Sequence, residues 1–356
     1  MKIIVLAHPT DDHAAPVQWA LEQAGYQSAC WSGISWIEQE RASLLVNESL
    51  SIKLGTHRLE PGDVLWLRQT AGSDAGARTA NSSSLTSDEL AYMLEHLPVR
   101  CINRYSASCL VRNKAVQLRL AGKSGLKVPE TLMSNSPAAV REFFDRHPHQ
   151  AICKAFATHV WQQQGSTDIS VTETFCLDRE ELPADDEVFT YAPAIYQQMV
   201  KKQFDVRAVL MGERVYSFAV RTPANSLDWR HDAALRNIAV ESIATPVAVE
   251  NSILGLAAKT GVCCGSLDFA VDRNGEWWFL EINEQGQFLW LDDFCPQARL
   301  LEKFCAFLTA PHDSSQTLEE RQELFPSIGE YQRLHPVTEM LDITRVSTDA
   351  AFKSVE

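Results

Sequence analysis

Two carboxylates and one amide at hairpin spacing are the residues of this sequence best placed to do chemistry. Asp268 lies in the apolar run Gly265 to Val271, and Glu281 and Asn283 lie in the run Trp277 to Asn283. Arg273-Asn274-Gly275 separates the runs, and Asn-Gly between apolar segments predicts a hairpin. Alternation assigns Trp278, Leu280 and Ile282 to one face of the second strand and Trp277, Phe279, Glu281 and Asn283 to the other. Pairing then brings Asp268 beside Glu281 and Asn283. Two carboxylates and an amide oxygen among large apolar residues need a cation, and oxygen-only ligands suit a hard ion, Mg²⁺ first. Mg²⁺ keeps room for substrate phosphates, so the hairpin points to nucleotide chemistry. An ordinary amphipathic hairpin with solvated acids is the competing reading of the same residues.

Cations in apolar settings form the second group. Lys154 sits inside Ala151-Ile152-Cys153-Lys154-Ala155-Phe156, where an ammonium must find an anion or lose its charge. A phosphate would satisfy it; a lysine snorkelling from a strand end is the alternative. Lys114, in Arg112-Asn113-Lys114 on a helix, says little alone and fits a solvated face. Gln198, Met199 and Val200 close an extended connection from Ala194. Such a connector can read adenine through its backbone, with Met199 and Val200 as an apolar floor, or it can be a plain interdomain strand. Arg207, on a predicted hairpin strand, and Arg230, in Asp228-Trp229-Arg230, are further cations in need of an anion. Several cations facing a three-ligand metal hairpin suit phosphoryl transfer, where charge stabilisation is nearly all the catalysis. The Gly-x-x-x-x-Gly-Lys-Ser/Thr phosphate loop, the Gly-x-Gly-x-x-Gly fingerprint after the first strand and the Gly-x-Ser-x-Gly elbow are all absent.

The elements that must position these residues follow from patterning. Strands are predicted at Lys2 to Ala7, Gln27 to Trp31, Val64 to Leu67 and Val99 to Asn103. Helices are predicted at Val17 to Ala24, stopped by Gly25, and from Ser87 to about Leu97. Short strands surround Gly55, and Ala71 to Ser84 reads as a loop. Strand and helix alternate here, which predicts a small doubly wound α/β domain over residues 1–108. One helix is then predicted from Cys109 to Ala121 and another from Ser136 to Arg146, opened by Pro137. Ala151 to Phe156 and Ser170 to Cys176 read as strands flanking a loop or hairpin at Thr158 to Ser166. Phe204 to Arg221 reads as a hairpin, Pro246 to Thr260 and Gln297 to Leu308 as helices, and the chain beyond Ala310 as a polar tail with short helices near Leu318 to Leu324.

Composition bounds the answer. A chain of 356 residues has room for two or three domains. With 46 acids against 32 Lys plus Arg and a net charge of -14, nonspecific nucleic-acid binding and an anionic membrane surface are both disfavoured. No apolar run reaches the ~20 residues of a membrane span, and the apolar start at Met1 runs straight into polar residues, so no signal peptide is expected. Nine scattered cysteines without a Cys-x-x-Cys pair read as reduced cytosolic thiols rather than disulfides or a zinc site.

In order along the chain, Val64-Leu65-Trp66-Leu67-Arg68, Asn113-Lys114-Ala115-Val116-Gln117-Leu118, Gly125 to Asn135, Lys154, Asp205-Val206-Arg207, Asp228-Trp229-Arg230, Leu280-Glu281-Ile282-Asn283 and Gly286-Gln287-Phe288-Leu289-Trp290 resemble the ATP-grasp ligases, closest to the microviridin-type peptide macrocyclases (graspetide synthetases). That resemblance implies a small pre-ATP-grasp α/β domain over 1–108 and an α/β (α+β) ATP-grasp fold of two lobes, 109–198 and 199–309, followed by a tail over 310–356. It implies that Lys114 and Lys154 bind ATP phosphates, that Gln198, Met199 and Val200 form the adenine hinge, and that Asp268, Glu281 and Asn283 hold Mg²⁺. Arg207 and Arg230 would steady the γ-phosphate or an acyl phosphate. The implied activity is a cytoplasmic, ATP-dependent carboxylate–amine or carboxylate–hydroxyl ligase that closes side-chain rings in a ribosomally made precursor peptide, with a homodimer as the implied assembly. A ligase adding an amino acid to a peptide or small metabolite, and a nucleotide-binding module without turnover, are the rival expectations. Two departures from the family pattern stand out: Glu284 where Pro commonly follows the Asn, and Gln69 where a second Arg commonly follows Arg68.

Overall fold

In the computed structural model the described residues are 1–7, 11–31, 42–46, 50–68, 87–147, 151–156, 160–162, 169–171, 174–190, 193–223, 226–227, 229, 237–310 and 318–336. The loop expected over Ala71 to Ser84, Gln69, Asp228 and Arg230 lie outside them.

The chain begins with β1 (Lys2–Leu6), α1 (Ala14–Gln23) and β2 (Gln27–Trp31), passes through a meander of β3 (Ala42–Val46), β4 (Leu50–Leu54) and β5 (His57–Arg58), and returns in β6 (Val64–Leu67), α2 (Ser87–Leu94) and β7 (Arg100–Ile102). The first strands are nearly continuous apolar runs because both faces of their sheet are covered. The sheet is parallel, in the order β2-β1-β6-β7. Ile3, Val5 and Trp66 face α1, while Ile4, Leu6, Leu65 and Leu67 face α2 and the meander.

Two helices follow, α3 (Tyr105–Arg112) and α4 (Lys114–Lys123), where the sequence led us to expect one helix from Cys109 to Ala121. The break is at Asn113, which is extended (ψ 108°) and caps α4 by accepting from Val116 N at 3.1 Å. A capping Asn satisfies an amide that the helix start would otherwise leave unpaired. The small lobe then contains β8 (Thr131–Ser134), α5 (Pro137–Arg146), β9 (Ala151–Lys154), the hairpin β10 (Val160–Gln162) and β11 (Ile169–Val171), β12 (Phe175–Leu177), α6 (Glu187–Thr190) and β13 (Ala194–Gln198). The strand expected over Ser170 to Cys176 is thus two strands in different sheets. β12-β9-β13-β8 form an antiparallel sheet, and Val140, Phe143 and Phe144 of α5 pack on Ala151 and Tyr196 beneath it.

The last lobe is built on β14 (Lys202–Met211), β15 (Arg214–Arg221), β16 (Ala239–Ile243), α7 (Val247–Thr260), β17 (Cys264–Asp272) and β18 (Trp277–Asn283). The five strands form one antiparallel sheet, β16-β15-β14-β17-β18. One face packs Val206, Ala208, Leu210, Leu267 and Phe269 on α3, α4 and α7. On the opposite face, Val209, Met211 and Phe218 share a core with α1, β1 and β6. The chain closes with α8 (Trp290–Phe294), α9 (Leu300–Thr309), α10 (Leu318–Gln322) and α11 (Ile328–Leu334).

Asp292 organises the start of α9. Its carboxylate accepts from Leu300 N at 2.9 Å and Leu301 N at 3.0 Å while the residue is 2% exposed. Burial outweighs those bonds and pushes its pKa up to about 7. A folded-state pKa raised above the unfolded value means that folding takes up a proton, so this group's contribution is complete at acid pH and lost as the pH rises through 7. The Asp292→Asn variant should therefore gain on the wild type by several °C in thermal melts between about pH 5 and pH 8. Parallel curves across that range would contradict the assignment.

Candidate functional site

Strand register builds the site. Arg207 on β14 stands opposite Asp268 on β17, and Asp268 stands opposite Glu281 on β18. Both Arg207 and Asp268 are about 5% exposed. Arg207 Nη1 donates to the two Asp268 oxygens at 2.7 and 2.8 Å. Lys114 Nζ, from the first turn of α4, donates to Glu281 Oε2. The row therefore reads cation, carboxylate, carboxylate, cation. Carboxylates directly opposite one another repel, and the flanking cations offset that repulsion. The break at Asn113 matters here, because it starts a new helix whose first residue reaches β18.

The alternation expected for β18 holds only in part. Phe269 pairs with Phe279 but Asp268 with Glu281, so Leu280 is an extra residue in a β-bulge. Trp277, Phe279 and Ile282 all point into the helix-covered core. Phe279 and Glu281 consequently lie on opposite faces, and the expected common face is corrected. A bulge reverses the phase of a strand and re-aims the side chains beyond it. Without it, Ile282 would leave the core or Glu281 would enter it. Asn283 stands opposite Ser266, and its Oδ1 accepts from Gln285 N at 3.0 Å. Among the described residues no three His, Cys, Asp or Glu side chains gather as a metal site. The candidate hard-ion set would be two carboxylates and one amide, a donor chemistry that fits Mg²⁺.

Lys154 ends β9, and its Nζ donates to Gln197 Oε1 at 3.2 Å. Gln197, 2% exposed, donates in turn to Thr131 Oγ1 at 2.9 Å. Sequence reasoning missed Gln197; the signal was a second amide in the buried strand Ala194-Ile195-Tyr196-Gln197-Gln198. Gln198 N donates to Glu130 O at 2.9 Å, which anchors the connector to the segment before β8. Gln198, Met199 and Val200 border a cavity of about 420 Å³, together with Trp278 and Lys201. That cavity flanks the connector; its lining does not include Lys114, Lys154 or Glu281. Met199 Sδ lies 3.3 Å from Cys176 Sγ. Arg230 is outside the described residues, while its neighbour Trp229 stacks on Trp290 at 5.0 Å and lies 5.8 Å from the Arg207 guanidinium.

The segment after β18 is held by polar contacts that sequence reasoning did not foresee. Asn103 Oδ1 accepts from Cys263 N at 2.8 Å and Cys264 N at 3.0 Å, and its Nδ2 donates to Cys264 O at 2.7 Å and Glu284 O at 3.0 Å. The Glu284 carboxylate accepts from Arg112 Nε at 2.9 Å. Arg207 Nη2 donates to Gln287 O at 2.9 Å.

Solved structures share this architecture. A RiPP-associated ATP-grasp ligase of Chryseobacterium gregarium, in complex with ADP and a leader and core peptide, matches with a TM-score of 0.75 at 22% identity, over 89% of this chain and 99% of that one. The macrocyclase MdnC of Microcystis aeruginosa MRC, bound with precursor peptide MdnA, matches with a TM-score of 0.70 at 19% identity, over 86% and 99%. The ATP-grasp ligase PsnB, complexed with a phosphomimetic variant of its minimal precursor, Mg and ADP, matches with a TM-score of 0.67 at 21% identity, over 86% and 97%. The chain has the ATP-grasp fold. No family model matches the chain, and no curated protein does.

Gly286 is required where the segment crosses β17. A Cβ there would lie 2.3 Å from Ser266 Oγ, 2.6 Å from its Cβ and 2.8 Å from its backbone N. Gly286→Ala should lower stability by about 1–3 kcal/mol in urea unfolding. The double variant Gly286→Ala with Ser266→Gly should recover only part of the loss, because the backbone contact remains. Full recovery would show that the side chain alone sets the limit.

Proposed function

We propose that the chain is an ATP- and Mg²⁺-dependent ligase that joins a carboxylate to a hydroxyl or amine through an acyl phosphate, with a ribosomally made precursor peptide as its substrate. The observation that carries the reading is the in-register row of Arg207, Asp268 and Glu281, closed by Lys114. Two adjacent carboxylates beside two cations are suited to share a divalent ion and a polyphosphate. The likeness of fold to proteins complexed with ADP, Mg and precursor peptides points the same way.

Asp268, Glu281 and Asn283 would hold Mg²⁺, which when bound supplies charge neutralisation between phosphates. Lys114 and Lys154 hold phosphate oxygens, and Gln198 to Val200 receive the adenine. A substrate carboxylate oxygen attacks the γ-phosphorus, the bond to the β–γ bridging oxygen breaks, and ADP leaves. A second side chain's hydroxyl or amine then attacks the acyl carbon, the carbon–oxygen bond to phosphate breaks, and the nucleophile's proton passes to solvent. Arg207, joined by Arg230, steadies the phosphoryl group throughout. Positioning and fixed charge supply the acceleration, so no protein nucleophile is needed. The division at residues 108 and 309, a homodimer and a cytoplasmic setting are proposals of the same reading.

Calorimetry should find Mg²⁺-dependent ADP binding, weakened about tenfold or more in Asp268→Asn and Glu281→Gln. Incubation with ATP and a candidate precursor peptide should release phosphate and lower the peptide's mass by one water per ring. A rise in mass would favour the amino-acid-adding ligase. Nucleotide binding without phosphate release on any acceptor would favour the silent module, and no binding by the wild type would overturn the nucleotide assignment itself.

A further inference from the structure

The carboxyl ends of β1 and β6 are where an open parallel sheet usually receives a ligand. Here they receive the segment that follows β18. Arg68, just past β6, pairs with Asp11 through Nε at 3.2 Å to each carboxylate oxygen, and its Nη1 lies 3.5 Å from Gly286 O. Asp11 Oδ1 also accepts from His13 N at 2.9 Å and Ala14 N at 2.8 Å, which fixes the residues leading into α1. His13 Nε2 then accepts from Phe288 N at 2.8 Å and Leu289 N at 3.1 Å. Its ring meets Phe288 edge-on, with centroids 5.3 Å apart.

His13 is 3% exposed. Burial first, and the Arg68 charge second, hold its pKa well below the ordinary imidazole value, so it is neutral at pH 7. Two amide donors on Nε2 place the remaining proton on Nδ1, which finds no hydrogen-bond partner among the described residues. An unpartnered buried N–H opposes folding, and the two buried amides satisfied at Nε2 offset that cost.

One peptide group links this histidine to the charged row. The carbonyl of Gln287 accepts from Arg207 Nη2, and the N–H of Phe288 donates to His13. Both belong to the single planar unit between residues 287 and 288. Arg207 and His13 thus hold the same plane from opposite sides, and rotation of that plane would release both contacts. We propose that His13 is a positioning residue: as the acceptor for Phe288 N–H, it fixes the Gln287–Phe288 peptide plane, whose carbonyl orients Arg207 toward the transferred phosphoryl group. The catalytic part rests on the ligase reading above; the clasp itself does not.

The test compares two isosteres. Gln carries an acceptor near the position of Nε2, whereas the shorter Asn does not reach it. His13→Gln should keep kcat within about threefold of the wild type, while His13→Asn should lose about 10- to 100-fold in kcat with the KM for ATP within about twofold. Hydrogen exchange should show the Phe288 and Leu289 amides protected in the wild type and His13→Gln, and exposed in His13→Asn. Wild-type kcat in folded His13→Asn, or an equal fall in both variants, would overturn the proposal. Should His13→Asn fail to fold, His13→Gln decides alone: folded but inactive protein overturns it, and retained kcat with protected amides supports it. If the wild type itself turns over no ATP, the ligase reading fails, and the exchange data still judge the clasp.

Discussion

Two carboxylates opposite one another on neighbouring strands are the constraint around which this molecule is built. Asp268 and Glu281 would repel if left alone, and Asp268 sits where water screens little. Arg207 and Lys114 make the arrangement tolerable, one from the neighbouring strand and one from a helix that begins beside the sheet. Each carboxylate thus has a cation beside it. The same placement that makes the pair costly in isolation is what the proposed phosphate chemistry would use.

Two local irregularities deliver that row. The bulge at Leu280 lets Phe279 and Ile282 both stay in the core while Glu281 turns to the opposite face. The break at Asn113 converts a lysine on a predicted solvated helix face into the first residue of a new helix. Regular continuation of either element would misdirect a charged group: the strand would bury Glu281 or expel Ile282, and the helix would carry Lys114 around its axis. Both irregularities depend on one residue in an otherwise periodic segment.

That dependence explains which features were legible in the sequence. Continuous apolar runs identified β1 and β6, Gly25 marked the end of α1, and Asn274-Gly275 announced the hairpin that pairs Asp268 with Glu281. Period-two reasoning missed the bulge because one inserted residue leaves no trace in composition. The Asn113 cap had a local signal, a helix-capping residue ahead of Lys114-Ala115-Val116, but neighbouring polar residues read equally well as an uninterrupted surface helix. β16 was missed because Ala239-Val240-Glu241-Ser242-Ile243 is an edge strand without clean alternation. Asp11, His13 and Arg68 lie more than 200 residues from the segment they hold, and no local pattern can announce such contacts.

The distribution of cores decides how the parts relate mechanically. α9 packs Phe304 against Trp66 of the first sheet, with ring centroids 4.8 Å apart, and belongs to the same cluster as Met211 and Phe218 of the last sheet. Arg100 at the start of β7 donates to Phe307 O at 2.9 Å and to Leu308 O and Ala310 O at 3.3 Å, so the edge of the first sheet caps the end of that helix. The first sheet and the last sheet therefore share one core and brace each other. The small lobe has its own cluster around Phe143, Phe144 and Tyr196. Separating the first sheet from the last would break close-packed contacts, whereas among the described residues no core cluster spans Met199 to Lys201. Lys154 and Gln197 belong to the small lobe. Arg207, Asp268 and Glu281 stay on the braced body, where the Gln287 carbonyl and Lys114 hold them.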